Sequence, residues 1–180
     1  MTPPAPRIPL SDGNAIPQLG YGLYKVPAQD ARRLSLDAID AGGYRHLDTA
    51  AFYANEREVG EAVRDAPVPR DELFVTSKVW KDDNGYDSAL RAFDRSMSAL
   101  GLDVVDLYLI HWPVPSTDLY VDTWRALVRV QQEGRVRSIG VSNFHPPITS
   151  PGSSTRRASP PPSSTRLDAP PVAAATRTAR

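Results

Sequence analysis

The stretch LGYGLYK at residues 19–25 decides which kind of parallel α/β fold the chain can form. It predicts a short strand, and its two glycines permit close approach of another backbone. A dinucleotide-binding Rossmann domain needs Gly-x-Gly-x-x-Gly after its first strand, and Lys25 occupies the position of the third glycine. The stretch therefore disfavours a doubly wound sheet and favours a (β/α)8 barrel.

The segments on either side of this stretch agree with a barrel. Before it, Asp12-Gly13 lies between two apolar runs and predicts an N-terminal β-hairpin. After it, patterns of period 3.6 alternate with short apolar runs, which predicts parallel strands joined by right-handed crossovers. The predicted helices cover 28–41, 55–64, 88–100 and 121–132, and the predicted strands 19–22, 44–48, 73–78, 104–110 and 136–141. The predicted fold is thus a partial (β/α)8 TIM barrel of five strands, whose first helix would bury Leu34, Ala38 and Ala41.

Composition predicts a soluble globular protein. The chain has 180 residues, of which 41% are hydrophobic, with 21 basic and 21 acidic side chains. A net charge of zero gives no general attraction to nucleic acid or to anionic membranes. The absence of cysteine excludes disulfides and thiolate metal sites. Because the sequence shows neither a signal peptide nor a membrane-spanning apolar run, we expect a cytoplasmic protein.

The composition changes abruptly after Phe144. Residues 145–180 contain no aromatic residue and no lysine, and Asp168 is their single acid. Proline, serine, threonine, alanine and arginine dominate, a composition that buries too little apolar surface to offset the entropy of ordering. We therefore predict a folded domain over 1–144 and a disordered tail over 145–180.

Polar residues occur where the predicted strands end. Asp48, Lys78, His111 and the pair Ser142-Asn143 each end or follow a strand, and Tyr53 lies in the loop after Asp48. Each alone has an ordinary structural explanation, such as a helix N-cap, a solvated strand end or a buried histidine. Since the carboxyl ends of parallel strands share one face, the set together indicates an active site.

The chemistry of this set suits carbonyl reduction. A tyrosine phenol ordinarily has a pKa near ~10 and needs a nearby positive charge to release its proton at neutral pH. Lys78 would supply that charge, Asp48 would hold Lys78, and His111 would orient a carbonyl oxygen. The hydride would come from a cofactor. A Schiff-base aldolase using Lys78 is an alternative, whereas the three histidines include no His-x-His pair and disfavour a metal site.

Four segments resemble the aldo-keto reductase family, in particular its bacterial 2,5-diketo-gluconate reductase-like members. They are GYRHLDTAAFYANEREVG at 43–60, VTSKVW at 75–80, DLYLIHWP at 106–113 and GRVRSIGVSNF at 134–144. The resemblance implies NADPH-dependent reduction of aldehydes or ketones, with Tyr53 as proton donor, Asp48 and Lys78 tuning it, and His111 orienting the substrate. It also implies nicotinamide contacts from Ser142 and Asn143, a cofactor cleft formed by Gly22, Leu23, Tyr24 and Asp48, and substrate-pocket walls formed by Trp80 and Trp112 beside His111.

The resemblance ends near residue 144. The family barrel has eight strands, and its Asn-Gln pair on strand six, its aromatic residue on strand seven and its basic cluster near the last strand have no counterpart in this sequence. We therefore expect an incomplete NADPH site, and a non-catalytic half-barrel that binds cofactor weakly or not at all is the alternative function. The composition after His145 resembles a GC-rich gene read out of frame, which leads to the hypothesis of a frameshift there. Open edges on the first and fifth strands predict marginal stability and poor solubility for a chain otherwise expected to be monomeric.

Overall fold

The computed structural model describes residues 5–144, and the predicted tail over 145–180 lies outside them. An antiparallel hairpin of β1 (Arg7–Pro9) and β2 (Ala15–Pro17) opens the chain. The elements that follow are β3 (Tyr21–Gly22), α1 (Ala28–Asp40), β4 (His46–Asp48), α2 (Glu56–Asp65), β5 (Phe74–Val79), α3 (Tyr86–Leu100), β6 (Val105–Ile110), α4 (Tyr120–Gln132) and β7 (Val136–Val141). Single 3-10 turns at Ala51–Tyr53, Arg70–Glu72 and Lys81–Asp83 were not predicted.

The five strands from β3 to β7 form one parallel sheet whose spatial order follows their order in the chain. A doubly wound sheet reverses its strand order at a switch point, where its ligand binds. Sequential order without a reversal is the arrangement of barrel strands. The predicted alternation and the choice of a barrel-type sheet are confirmed.

The two faces of the sheet pack against different partners. Val75, Val79 and Tyr108 belong to the large core that the strands share with the helices. Because successive side chains point to opposite faces, Phe74 lies on the other face, in a second cluster with the hairpin residue Ile16. The hairpin thus covers the inner face of the sheet at the amino ends of the strands. No helix within residues 5–144 combines the length and apolarity that crossing a bilayer requires.

The buried face of α1 differs from the prediction. Of the three residues predicted to be buried, only Ala38 is, while Leu34 is half-buried and Ala41 is exposed. The helix ends at Asp40, so Ala41 is its C-cap and lies beyond the packed face. Small Ser35 is fully buried instead.

Gly60 lies at a close contact between helices α2 and α3. A Cβ atom added there would overlap the backbone carbonyl of Leu100, the last residue of α3. A larger side chain in the middle of α2 would therefore force the two helices apart. The glycine in the GEAV segment of α2 is therefore explained by its contact with α3, since helix propensity alone would favour another residue there.

Candidate active site

Lys78 lies at the centre of a hydrogen-bonded group at the carboxyl end of the sheet. Its Nζ atom is 2.5 Å from Asp48 Oδ1, 2.9 Å from the carbonyl oxygen of Thr49 and 3.5 Å from Tyr53 Oη. The side chain of Lys78 is only 7% exposed, whereas that of Asp48 is 31% exposed. An ammonium group has three N–H donors, and these three acceptors match them. The structure therefore brings together three of the predicted residues.

His111 joins this group from the end of β6. Its backbone N–H donates to Val79 O at 3.2 Å, and its ring lies edge-on to Tyr53, with centroids 5.8 Å apart. Burial and the charge of Lys78, partly opposed by Asp48, lower the pKa of His111 to about 4. At neutral pH the imidazole is uncharged and carries a single N–H donor. Its buried Nδ1 has no hydrogen-bond partner among the described residues.

The pKa of Tyr53 differs from the expectation. Burial, Asp48 and Tyr24 raise it to about 12, whereas the sequence suggested that Lys78 would favour the phenolate. The main reason is burial, which disfavours the charged phenolate, and the neighbouring Asp48 carboxylate acts in the same direction. Tyr53 is consequently protonated throughout the neutral range.

Aromatic side chains surround these polar groups. Trp80 stacks on Phe52, with ring centroids 3.9 Å apart, and contacts His111 edge-on at 5.1 Å. Tyr24 lies 5.2 Å from the Tyr53 ring and is 57% exposed. Trp112 follows His111 and is 41% exposed. Phe52 was not predicted, although its position beside Tyr53 in the sequence was a usable signal.

The residues predicted to bind cofactor are only partly brought to this site. Gly22 is exposed and a Cβ atom there would meet open space, which leaves room for a ligand beside the backbone. The side chain of Leu23 is fully buried in the core, and the place of this residue in the cofactor cleft stays a prediction. Ser142 donates its backbone N–H to Ile110 O at 2.8 Å, and Asn143, in the left-handed conformation, donates its amide to His111 O at 2.9 Å. Both therefore lie beside His111.

Two buried residues that the sequence did not single out, Thr49 and Asn55, connect the loops of the site. The Thr49 hydroxyl donates to Asn55 Oδ1 at 2.7 Å, and the Asn55 amide donates to the carbonyls of Leu23 and Val26 at 3.1 and 3.0 Å. Asparagine at the start of a predicted helix usually indicates an N-cap, and that interpretation gives no sign of these contacts.

Comparison with known proteins gives consistent results. Residues 18–151 match the model of the aldo/keto reductase family. An aldo-keto reductase of Mycolicibacterium smegmatis is 53% identical over 142 residues, which are 79% of this chain and 51% of that protein. The crystal structure of an aldo/keto reductase from Brucella melitensis is 52% identical with a TM-score of 0.75, covering 78% of this chain and 55% of that one. An aldo-keto reductase from Bombyx mori in complex with NADP is 41% identical with a TM-score of 0.71, covering 79% and 52%. The chain thus spans about half the length of these relatives.

Proposed function

The chain belongs to the aldo/keto reductase family, and we propose that it reduces aldehydes or ketones with NADPH, using Tyr53 as the proton donor. The observation that carries the proposal is the Lys78 ammonium, bonded to Asp48 and 3.5 Å from the Tyr53 hydroxyl, beside a neutral His111. A phenol, an ammonium and an uncharged imidazole at the carboxyl end of a parallel sheet form a site suited to protonating a carbonyl oxygen.

The roles follow from the charges of these groups. His111, with its N–H, would hold the carbonyl oxygen beside Tyr53 Oη. As negative charge develops on that oxygen, Tyr53 would transfer its proton, which leaves a phenolate that the Lys78 ammonium stabilises and that water reprotonates. NADPH, when bound, supplies the hydride that completes the alcohol.

The raised pKa of Tyr53 is compatible with this role. A phenol with a pKa of about 12 keeps its proton in the resting site, so it is always in the donating form at neutral pH. The proton moves only when a stronger base, the developing alkoxide, lies beside it.

Four residues are proposed to hold the cofactor. Ser142 and Asn143, beside His111, would bind the nicotinamide carboxamide through hydroxyl and amide groups. The open space at Gly22 and the exposed ring of Tyr24 would border the nicotinamide on the other side of Tyr53. The NADP complex of the Bombyx mori relative supports this choice of cofactor.

The alternative function is a half-barrel that binds NADPH weakly or not at all and has no turnover. The Schiff-base alternative is less well supported, because all three N–H groups of Lys78 have acceptors within 3.5 Å and its amine is not presented as a nucleophile.

The test is NADPH oxidation by the 180-residue chain with an aromatic aldehyde, together with NADPH binding measured by fluorescence. We expect Tyr53→Phe to retain binding and to lose about 10²–10⁴-fold in kcat. The matched control is Tyr44→Phe, at a tyrosine that contacts Tyr21 away from the site. Equal rates for wild type and Tyr53→Phe would exclude the proposed proton donor. A wild-type chain that binds NADPH weakly or not at all, with no turnover, would establish the half-barrel alternative.

A further inference from the structure

Asn55 is unusual for a residue that begins a helix. It occupies the N-cap position of α2, where an asparagine side chain normally accepts a hydrogen bond from the first turn, yet it makes no such bond. Its side chain is fully buried instead. A buried amide needs partners elsewhere, since leaving one unpaired is costly.

Those partners belong to two different loops. On one side, Asn55 Oδ1 accepts from the hydroxyl of Thr49, whose own carbonyl oxygen accepts from Lys78 at 2.9 Å. On the other side, the Asn55 amide donates to the carbonyls of Leu23 and Val26, which flank Tyr24 in the chain. One side chain thus links the residue that holds Lys78 to the loop that carries Tyr24.

The segment closed by Thr49 and Asn55 carries Tyr53. It includes the 3-10 turn Ala51–Tyr53 and Ala54, which adopts the left-handed conformation with a φ of 55°. Alanine in this conformation is strained and persists only when its surroundings hold it there. The contact between Thr49 and Asn55 spans the base of this loop and can supply that restraint.

We propose that Asn55 is a positioning residue, which holds the Tyr53 loop against Lys78 and at the same time fixes the 23–26 loop beside it. Its effect on catalysis rests on the proposed function, whereas its effect on the two loops does not. The amides that report it are those of Tyr53 and Ala54, which bond within the 3-10 turn, and those of Leu23 and Val26.

Three variants separate the two sides of the link. Thr49→Val removes only the hydroxyl, so hydrogen exchange should accelerate about tenfold in residues 49–54 and remain unchanged in 23–26. Asn55→Ala should accelerate exchange in both segments. Thr49→Ser retains the hydroxyl and should restore the wild-type rates.

The matched control is Thr123→Val. Thr123 is also fully buried, donates to Leu119 O and accepts from the backbone of Gly85, far from the two loops in the chain. Its loss removes comparable buried hydrogen bonds and should leave exchange in 23–26 and 49–54 unchanged.

Kinetics provide the second measurement on the same proteins. With the wild-type chain active, Thr49→Val should lower kcat about tenfold with little change in KM, and Thr49→Ser should recover it. An inactive wild type would contradict the proposed function, and hydrogen exchange would still show whether Asn55 holds the two loops. Unchanged exchange in both loops of Asn55→Ala, or equal acceleration in Thr123→Val, would overturn the inference.

Discussion

His46 is a buried histidine below the active site, on the same strand as Asp48. Its Nε2 lies 2.9 Å from the Thr76 hydroxyl, and its ring leaves no space for a side chain at Gly20. Burial lowers its pKa to about 4, and the charges of Asp48 and Lys78 act in opposite directions. His46 and His111 therefore both remain uncharged in the folded protein at pH values where free histidine is protonated.

We predict that acid destabilises the protein between pH 6.5 and 4 through these histidines. The unfolded chain binds protons at these histidines near pH 6.5, and the folded chain does so only near pH 4. Their contribution to the free energy of unfolding is therefore complete above pH 6.5 and is lost as the pH falls. Each contributes a slope of at most about 1.4 kcal/mol per pH unit. Glu56 acts in the opposite direction. Burial raises its pKa, so its contribution to the free energy of unfolding is lost as the pH rises.

Urea denaturation of wild type and His46→Gln over this pH range isolates one histidine, since Glu56 contributes equally to both proteins. The wild-type free energy of unfolding should fall more steeply than that of the variant, whatever the offset between them at pH 7. Parallel curves would show that His46 does not titrate differently on folding.

Most of the proposed site residues were predicted from their positions at the ends of predicted strands. Asp48, Lys78 and His111 were predicted because each ends or follows a strand, and Tyr53 because of its loop and the family resemblance. The link through Asn55 was not predictable, because it joins segments 23–26 and 49–55 through side-chain contacts that no local pattern records. The burial of the Leu23 side chain was not predictable for a related reason, since its neighbours in the sequence do not show which way it points.

At the scale of elements, α2 and α3 are held closer than ordinary side chains permit. The buried residues of α2 include Val59, Gly60 and Val63, and the C-terminus of α3 lies directly over Gly60. Arg64 reinforces the contact by donating to the carbonyls of Leu100 and Gly101. The periodic apolar pattern predicted both helices, while the three 3-10 turns, too short for any periodicity, were not predicted.

We predict that Gly60→Ala destabilises the protein despite its higher helix propensity. Alanine gains about 1 kcal/mol in a helix over glycine, but the overlap with the Leu100 carbonyl forces the helices apart. The expected net loss in the free energy of unfolding is about 1–3 kcal/mol. Denaturant unfolding measures it, with Arg57→Ala on the exposed face of the same helix as control, where we expect a change within about 0.5 kcal/mol. A Gly60→Ala protein at least as stable as wild type would contradict the close approach.

At the scale of the whole molecule, we expect the two edge strands of the parallel sheet to control association with other chains. Within residues 5–144, β3 pairs only with β4, and β7 pairs only with β6. Each therefore has one row of backbone groups that no strand in this described part pairs with, and such a row can pair with another chain. The six residues of β7 form the longer of these two edges.

We predict that the purified chain associates as its concentration rises and that its thermal unfolding is broad. Sedimentation at two concentrations, combined with melting followed by circular dichroism, tests both. A sharp melting transition of a monomer, independent of concentration, would show that these edges are protected.

The hydrogen bonds of Asn14 have a consequence for how the chain is made. Its side chain donates to Ser138 Oγ at 3.0 Å and to Arg137 O at 3.3 Å, so the turn of the first hairpin is joined to β7, 123 to 124 residues further along the chain. On a ribosome, the hairpin emerges first, yet these partners are synthesised only after α4 is complete. The turn can therefore complete these two hydrogen bonds only after β7 has been synthesised, although the hairpin packs on β5 and β6 through contacts available earlier.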